Sequence, residues 1–108
     1  MRGTMIITTT DTIPGATIEQ TLGFVSGNNV KARNAAVDML AGLKTIVGGE
    51  IASYTKLMND TRQVAIDRMV QEAQAMGANA IVGVRLASSE VMQGCCELCA
   101  YGTAVVIS

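Results

Sequence analysis

Residues 50–76 read "EIASYTKLMNDTRQVAIDRMVQEAQAM", and the spacing of their apolar positions decides what kind of fold the chain can adopt. Ile51, Tyr54, Met58, Ala65, Met69, Ala73 and Met76 recur at steps of three and four, with an interruption at Thr61. Leu57, Val64 and Val70 widen the stripe. Lys56, Asp60, Arg62, Asp67, Arg68 and Glu72 fall largely off it. That is the pattern of an amphipathic helix, here about seven turns long. Gly77 is its stop signal, because glycine tolerates the left-handed conformation at a helix end. A helix of this length has one apolar stripe to bury, and it needs a sheet to lie across.

The flanking segments supply strands. "TMIITTT" (Thr4–Thr10) is rich in β-branched residues and reads as a strand. "DTIPGA" (Asp11–Ala16) holds the only proline beside a glycine and reads as a turn. In "TIEQTLGFVSG" (Thr17–Gly27), Ile18, Gln20, Leu22 and Phe24 share one parity, which predicts a half-buried strand ending at Gly27–Asn29. Val37, Leu40, Ala41, Leu43 and Val47 then return to helical spacing, with Asn34 as N-cap, Asp38 near the first turn and Gly48-Gly49 as the stop. "NAIVGVRLASSEVM" (Asn79–Met92) predicts a strand with Val82, Val84 and Leu86 on one face, and "CCELCAYGTAVVIS" (Cys95–Ser108) predicts another. Gln93-Gly94 between them makes a hairpin. The expected order is β-β-α-α-β-β in a single domain, residues 1–108: an α+β two-layer subunit with helices on one face of an antiparallel sheet.

Composition points to self-association. Of 108 residues 49% are hydrophobic, but only 3% are aromatic and 16% charged. Soluble domains average roughly 25% charged residues. A small surface this poor in charge is expected to hide part of itself against copies of itself, in a closed ring that pairs its strand edges. Net charge is −1, Lys and Arg are scattered, and stacking residues are scarce, which argues against nucleic-acid binding. No apolar run approaches the ~18 residues that span a bilayer, so no membrane partner is expected. "MRGTMIITTT" has no secretory h-region, and three cysteines are an odd count for a disulfide framework. Both features point to a cytoplasmic protein with reduced thiols.

Several blocks together resemble the YbjQ family, small bacterial proteins labelled "putative heavy-metal-binding". They are "LGFVSGNNV" (Leu22–Val30), the Asn34-to-Asp38 spacing, "IVGG" (Ile46–Gly49), Tyr54, "GANAIVGVRL" (Gly77–Leu86), and "MQG" followed by "AYGTAV". The resemblance runs over almost the whole chain. It implies a dodecin-like α+β subunit assembled into a homo-oligomeric ring, a pentamer. It implies no activity. The chain departs from the family at Glu50, where arginine is usual, and at Thr55, where glutamate is common. Its cysteines also stand where the family shows small or aliphatic residues.

The cysteines, Cys95, Cys96 and Cys99, all fall in "GCCELCAY" (Gly94–Tyr101). Cys96-x-x-Cys99 has the spacing of half a zinc ribbon, but there is no second pair and no histidine. On a regular strand Cys95, Glu97 and Cys99 share a parity that Cys96 does not, and Cys96 and Cys99 lie about 10 Å apart. Two thiolates on one zinc ion are much closer than that, given Zn–S near 2.3 Å. A chelate within one chain therefore requires a turn or bulge near Gly94. In a ring, each copy presents its thiols again, so a site could form between subunits. Such a site would favour soft ions: Zn²⁺, Cu(I) or Cd²⁺. The plainer reading is that cysteine here is a small apolar filler. A redox pair has no neighbouring Lys, Arg or His to lower a thiol pKa.

Asp38, Glu50 and Tyr54 are the polar residues nearest the Gly48-Gly49 break and the candidates for ligand binding there. Glu50 also suits a helix N-terminus on its own account, and Tyr54 suits an amphipathic anchor. The methionines at 58, 69 and 76 follow core spacing. No nucleophile motif, histidine or cofactor fingerprint argues for an enzyme. The expected function is a homo-oligomeric binding protein for a metal ion or small ligand. Behind it stand a structural assembly without ligand and an enzyme with an intersubunit site.

Overall fold

A computed structural model describes the backbone of residues 4–31, 49–92 and 95–108, and side chains outside 30–31, 49–55, 57, 90–92 and 95–96. Its elements are β1 (Ile6–Ile7), β2 (Ile18–Lys31), α1 (Gly49–Ala75), β3 (Ala80–Met92) and β4 (Cys95–Ile107). The four strands form one sheet in the order β1-β3-β4-β2. The fold is α+β. The helix expected over 34–47 lies outside the described residues, and Asp38 lies there with it.

The sheet is mixed rather than antiparallel. β3 and β4 form the expected hairpin, with Met92 paired to Cys95. β2 runs antiparallel to β4, but β1 pairs parallel to β3 through Ile6–Ala80 and Ile7–Ile81. β1 also stops at Ile7 instead of Thr10. The threonines themselves account for this. Thr8 Oγ1 accepts from the Thr10 N–H at 3.2 Å and Thr10 Oγ1 donates to the Thr12 carbonyl at 2.6 Å, which diverts the chain from ladder geometry. The diverted segment still reaches β3: the Gly83 N–H donates to Thr10 O at 2.8 Å and the Val84 N–H to Thr8 O at 3.0 Å.

β2 departs from expectation in two ways. It runs on through Gly27–Asn29 to Lys31, because those residues keep pairing with Ala100, Cys99 and Leu98. Its even-numbered apolar residues do not all share a face: the register slips between Ile18 and Gln20 and again between Thr21 and Gly23, which turns Leu22 away from the face of Ile18 and Phe24. Each slip adds an unpaired residue and breaks the alternation. Leu22 packs against the helix-side core and Ile18 against the opposite cluster, while Phe24 is 68% exposed. The helix-facing positions are Val25, Gly27 and Asn29, all buried. In β3 a similar slip between Val82 and Arg85 surrounds Gly83, whose φ is +63°, a conformation natural only to glycine. It puts Ile81 and Val84 together in the helix-side core, Val82 in the other cluster, and leaves Leu86 43% exposed.

α1 is the predicted long helix, 27 residues. Among its described side chains the buried positions are Thr61, Ala65, Met69 and Ala73, every fourth residue. The break in the apolar stripe at Thr61 is therefore a buried position, whereas Met58 and Met76, also on the stripe, are 40% and 39% exposed. The backbone at Thr61 serves buried Asn29, whose Nδ2 donates to the Thr61 carbonyl oxygen at 3.1 Å. Val25, Met69 and Ile81 are fully enclosed on this side, each contributing about 1.5–3 kcal/mol through burial. The helix ends as predicted. Gly77, at φ +88°, donates to Gln74 O at 3.0 Å and Ala78 N–H donates to Ala73 O at 3.1 Å, the two bonds of a Schellman motif. Asn79 then clasps the end of β4, donating from Nδ2 to Ile107 O at 2.8 Å and accepting from the Ile107 N–H at 2.7 Å.

Among the described glycines, the closest approach of another element is at Gly27. A Cβ there would stand 2.2 Å from Ala65 O and 2.4 Å from Met69 N, both helix backbone. Replacing Gly27 by Ala should therefore destabilise the protein by about 3 kcal/mol or more, since the helix must lift off the strand. Thermal denaturation followed by circular dichroism reads this directly. The control Glu19→Ala, at an exposed position, should stay within about 0.5 kcal/mol.

Candidate functional site on the uncovered sheet face

α1 covers one face of the sheet, lying mainly over β2 and β4. On the other face, Ile13, Ile18 and Ile107 pack with Ala80, Val82 and Val105 at one end. Beyond that cluster the face has no covering element among the described residues. Cross-strand pairing brings together there Phe24, Ser26 and Asn28 of β2, Glu97, Cys99, Tyr101 and Thr103 of β4, and Arg85 and Ala87 of β3. Phe24 and Tyr101 lie with ring centroids 6.2 Å apart and planes tilted by 37°, an aromatic pair open to one side.

Cys99 stands in the middle of this face, opposite Asn28 on one side and Ala87 on the other. Its Sγ lies 3.9 Å from Asn28 Oδ1 and 3.8 Å from the Ala100 carbonyl oxygen. Asn28 in turn donates from Nδ2 to Glu97 Oε2. The carboxylate accepts only, so it turns the amide nitrogen toward itself and leaves the amide oxygen for the thiol. The thiol is thus held as a donor, in its protonated form. Burial pushes the Cys99 pKa up, and the negative charge of Glu97 pushes it further. Such a thiol is a poor nucleophile at neutral pH.

The other sequence candidates meet the described structure through their backbone. Cys95 and Cys96 begin β4, paired with Met92 and with Glu90 and Lys31. The register slip at this end falls between Glu90 and Met92, on β3, so β4 is continuous from Cys95 to Cys99. Cys96 and Cys99 are consequently about 10 Å apart along one strand, at opposite parity, which is not chelate geometry within a chain. Glu50 and Tyr54 lie in the first two turns of α1. The contacts of Thr61 with Asn29, of Ala65 and Met69 with Gly27, and of Met76 with Gly23 show that α1 runs antiparallel to β2. The start of α1 therefore lies toward the Lys31 and Cys96 end of the sheet, so both candidate groups fall at the same end. No group of three Cys, His, Asp or Glu side chains capable of holding a metal ion exists among the described residues. Within one chain the described donors do not complete a metal site. Sequence reasoning placed Glu97 beside Cys99 but missed Asn28, which becomes their neighbour only through the β2–β4 register.

Among the described residues, a long helix on one face of a four-stranded sheet whose other face is half covered defines the class of protein. Residues 5–108 match the model of the YbjQ family, described as "Putative heavy-metal-binding". The chain belongs to this family. It is 50% identical over 105 residues to a UPF0145 protein of Archaeoglobus fulgidus, with 97% of each chain covered. It is 52% identical over 101 residues to one from Vibrio parahaemolyticus, covering 94% of this chain and 96% of that one. The crystal structure of a protein of unknown function from Pediococcus pentosaceus, assigned to the DUF74 family, superposes with a TM-score of 0.62 at 18% identity, covering 96% of this chain and 98% of that one. That likeness establishes the fold. None of these names carries a catalytic activity. No described helix is long and apolar enough to cross a membrane.

The surroundings of Cys99 are open to a direct test. In a Cys95→Ser/Cys96→Ser background, the rate of Cys99 alkylation by iodoacetamide should rise with pH about a midpoint above the ~8.5 of a free thiol. Glu97→Gln should lower that midpoint and speed alkylation at mildly alkaline pH. A midpoint at or below the free-thiol value would mean that the thiol is neither desolvated nor next to the carboxylate.

Proposed function

We propose that the chain is a subunit of a closed homo-oligomer, pentameric by family resemblance, that captures a soft metal ion between its copies. The observation that carries this reading is the half of the sheet left uncovered among the described residues, where Phe24, 68% exposed, shares one face with half-buried Tyr101 and Cys99. An exposed aromatic pair beside a thiol is a surface that contact with another protein chain would cover. The dimensions support it: the radius of gyration is 16.9 Å, against about 13 Å for a compact chain of this length. A long hairpin and a long helix, drawn out to 53 Å, leave surface that a lone subunit does not bury.

In this reading the ligands come from more than one copy. Cys99 supplies one thiolate per subunit, and Glu97, two residues along the same face, a carboxylate oxygen. Cys95 and Cys96 at the start of β4, with Glu50 and Tyr54 at the start of α1, add further donors at that end of the sheet. Thiolate-rich sets prefer Zn²⁺, Cu(I) and Cd²⁺. Because Cys99 is held protonated, capture displaces a proton and weakens as pH falls. The family description of heavy-metal binding agrees with this chemistry without naming ligands.

Native mass spectrometry of protein purified without added metal, then titrated with Zn²⁺ and Cd²⁺, tests both parts. The expected result is a single assembly size with a fixed number of ions per assembly. A Cys95→Ser/Cys96→Ser/Cys99→Ser variant should keep the size and lose the ions. Equal, substoichiometric metal in both proteins would leave an assembly without a thiol site. A monomer at micromolar concentration would remove the ring.

A further inference from the structure

β2 is an outer strand of the sheet, so alternate N–H and C=O groups along it point away from β4. At its centre two of these outward groups are taken by side chains of α1. The Ser26 N–H donates to Glu72 Oε1 at 2.8 Å, and the Asn28 carbonyl oxygen accepts from Arg68 Nη1. Arg68 and Glu72 are four apart and neighbours on the helix surface. Gly27 lies between the two bonded residues, and its missing Cβ is what lets the helix down far enough for both side chains to reach the strand edge. One donor and one acceptor presented at this spacing imitate the backbone of an added strand.

The opposite edge is treated differently. β1 pairs only with Ala80 and Ile81, and the Thr8–Thr10 segment reaches Val84. From Arg85 to Met92 the outer side of β3 has no partner strand among the described residues. Two unguarded edges in one subunit would let β2 of one copy add to β3 of the next, and a heterologous contact of that kind propagates into a filament unless its rotation closes.

We infer that Arg68 and Glu72 are an edge guard: they occupy the centre of β2 so that a second copy of this chain does not add there as a strand. Open-ended sheet growth is thereby removed, and association is confined to other surfaces. This rests on the reading of the chain as a subunit of a closed assembly, and it specifies how the assembly is kept closed.

The test is the Arg68→Ala/Glu72→Ala variant. Both positions are exposed and alanine is a strong helix former, so the helix should persist. Native mass spectrometry and light scattering should show the wild type at one size and the double variant as a broad distribution whose mean mass at least doubles with rising protein concentration. Adding Ser26→Pro, which removes the outward N–H from an edge strand, should restore the wild-type size. A double variant with wild-type size at all concentrations overturns the guard. A wild-type monomer overturns the closed assembly alone, and the guard is then judged by whether the double variant associates. If the double variant fails to fold, amide exchange at Ser26 decides. The guard requires protection there in the wild type and exchange faster by about an order of magnitude or more in Glu72→Ala. An unprotected Ser26 amide in the wild type overturns it.

Discussion

The absent side chain at position 27 lets the backbone of α1 rest on the backbone of β2, and most of the architecture depends on that contact. Ordinary helix–sheet packing holds the two layers apart by the thickness of interleaved side chains. Here Ala65 and Met69 meet the strand with almost nothing between. The low helix brings the Thr61 carbonyl to the amide of Asn29, so that a polar residue can be buried in the interface without losing its bonds. It also brings Arg68 and Glu72 to the strand edge. A methyl group at this one position would push against all three contacts at once.

The same packing explains why the two faces of the sheet differ in character. Toward the helix the strands carry small residues: Gly27, Ala100, Gly102 and Ala104 line the surface on which α1 and the larger Val25, Met69 and Ile81 fit together. Gly102 is pressed so close to the Val82 carbonyl and to the ends of Ile81 and Val84 that it too has no room for a Cβ. The opposite face carries the larger and more reactive side chains of this strand, Tyr101 and Cys99, with Phe24 beside them. Alternation along the middle of β4 thus divides structure from chemistry, with Ala100, Gly102 and Ala104 under the helix and Cys99 and Tyr101 on the other face. Cys99 falls on the outward set, and its neighbours keep it protonated rather than reactive.

Much of this was legible in the sequence, and the rest was not, for physical reasons. The long helix was plain from its period, and its end at Gly77 from turn chemistry, because both signals are local. The hairpin of β3 and β4 followed from two apolar runs with a two-residue link. What escaped was every feature that depends on register. Phe24 looked inward with Ile18 and Leu22, but the two slips in β2 turn only Leu22 to the helix side, and Phe24 keeps Ile18's face beyond the cluster that covers Ile18. Gly27 looked like the end of a strand, since nothing in a single chain distinguishes a glycine that stops a strand from one that admits a helix. Thr61 looked like a flaw in the stripe, yet it is buried, and its backbone carbonyl receives Asn29 from another element. The parallel pairing of β1 was hidden because so short a segment leaves no pattern. At the candidate site, the strand geometry that argued against a Cys96–Cys99 chelate could be read from spacing alone, whereas Asn28 could not.

The junction between α1 and β3 has a mechanical consequence. Met76, Gly77, Ala78 and Asn79 are the whole connection, and each is fixed: the first three close the helix end, and the fourth is bonded twice to the last residue of β4. A joint so short and so fully bonded behaves as a welded elbow rather than a hinge. The helix and the hairpin, the two longest arms among the described elements, must then swing together. A push on the first turn of α1 would reach the base of the hairpin with little loss, as force applied to one end of a crowbar reaches the other.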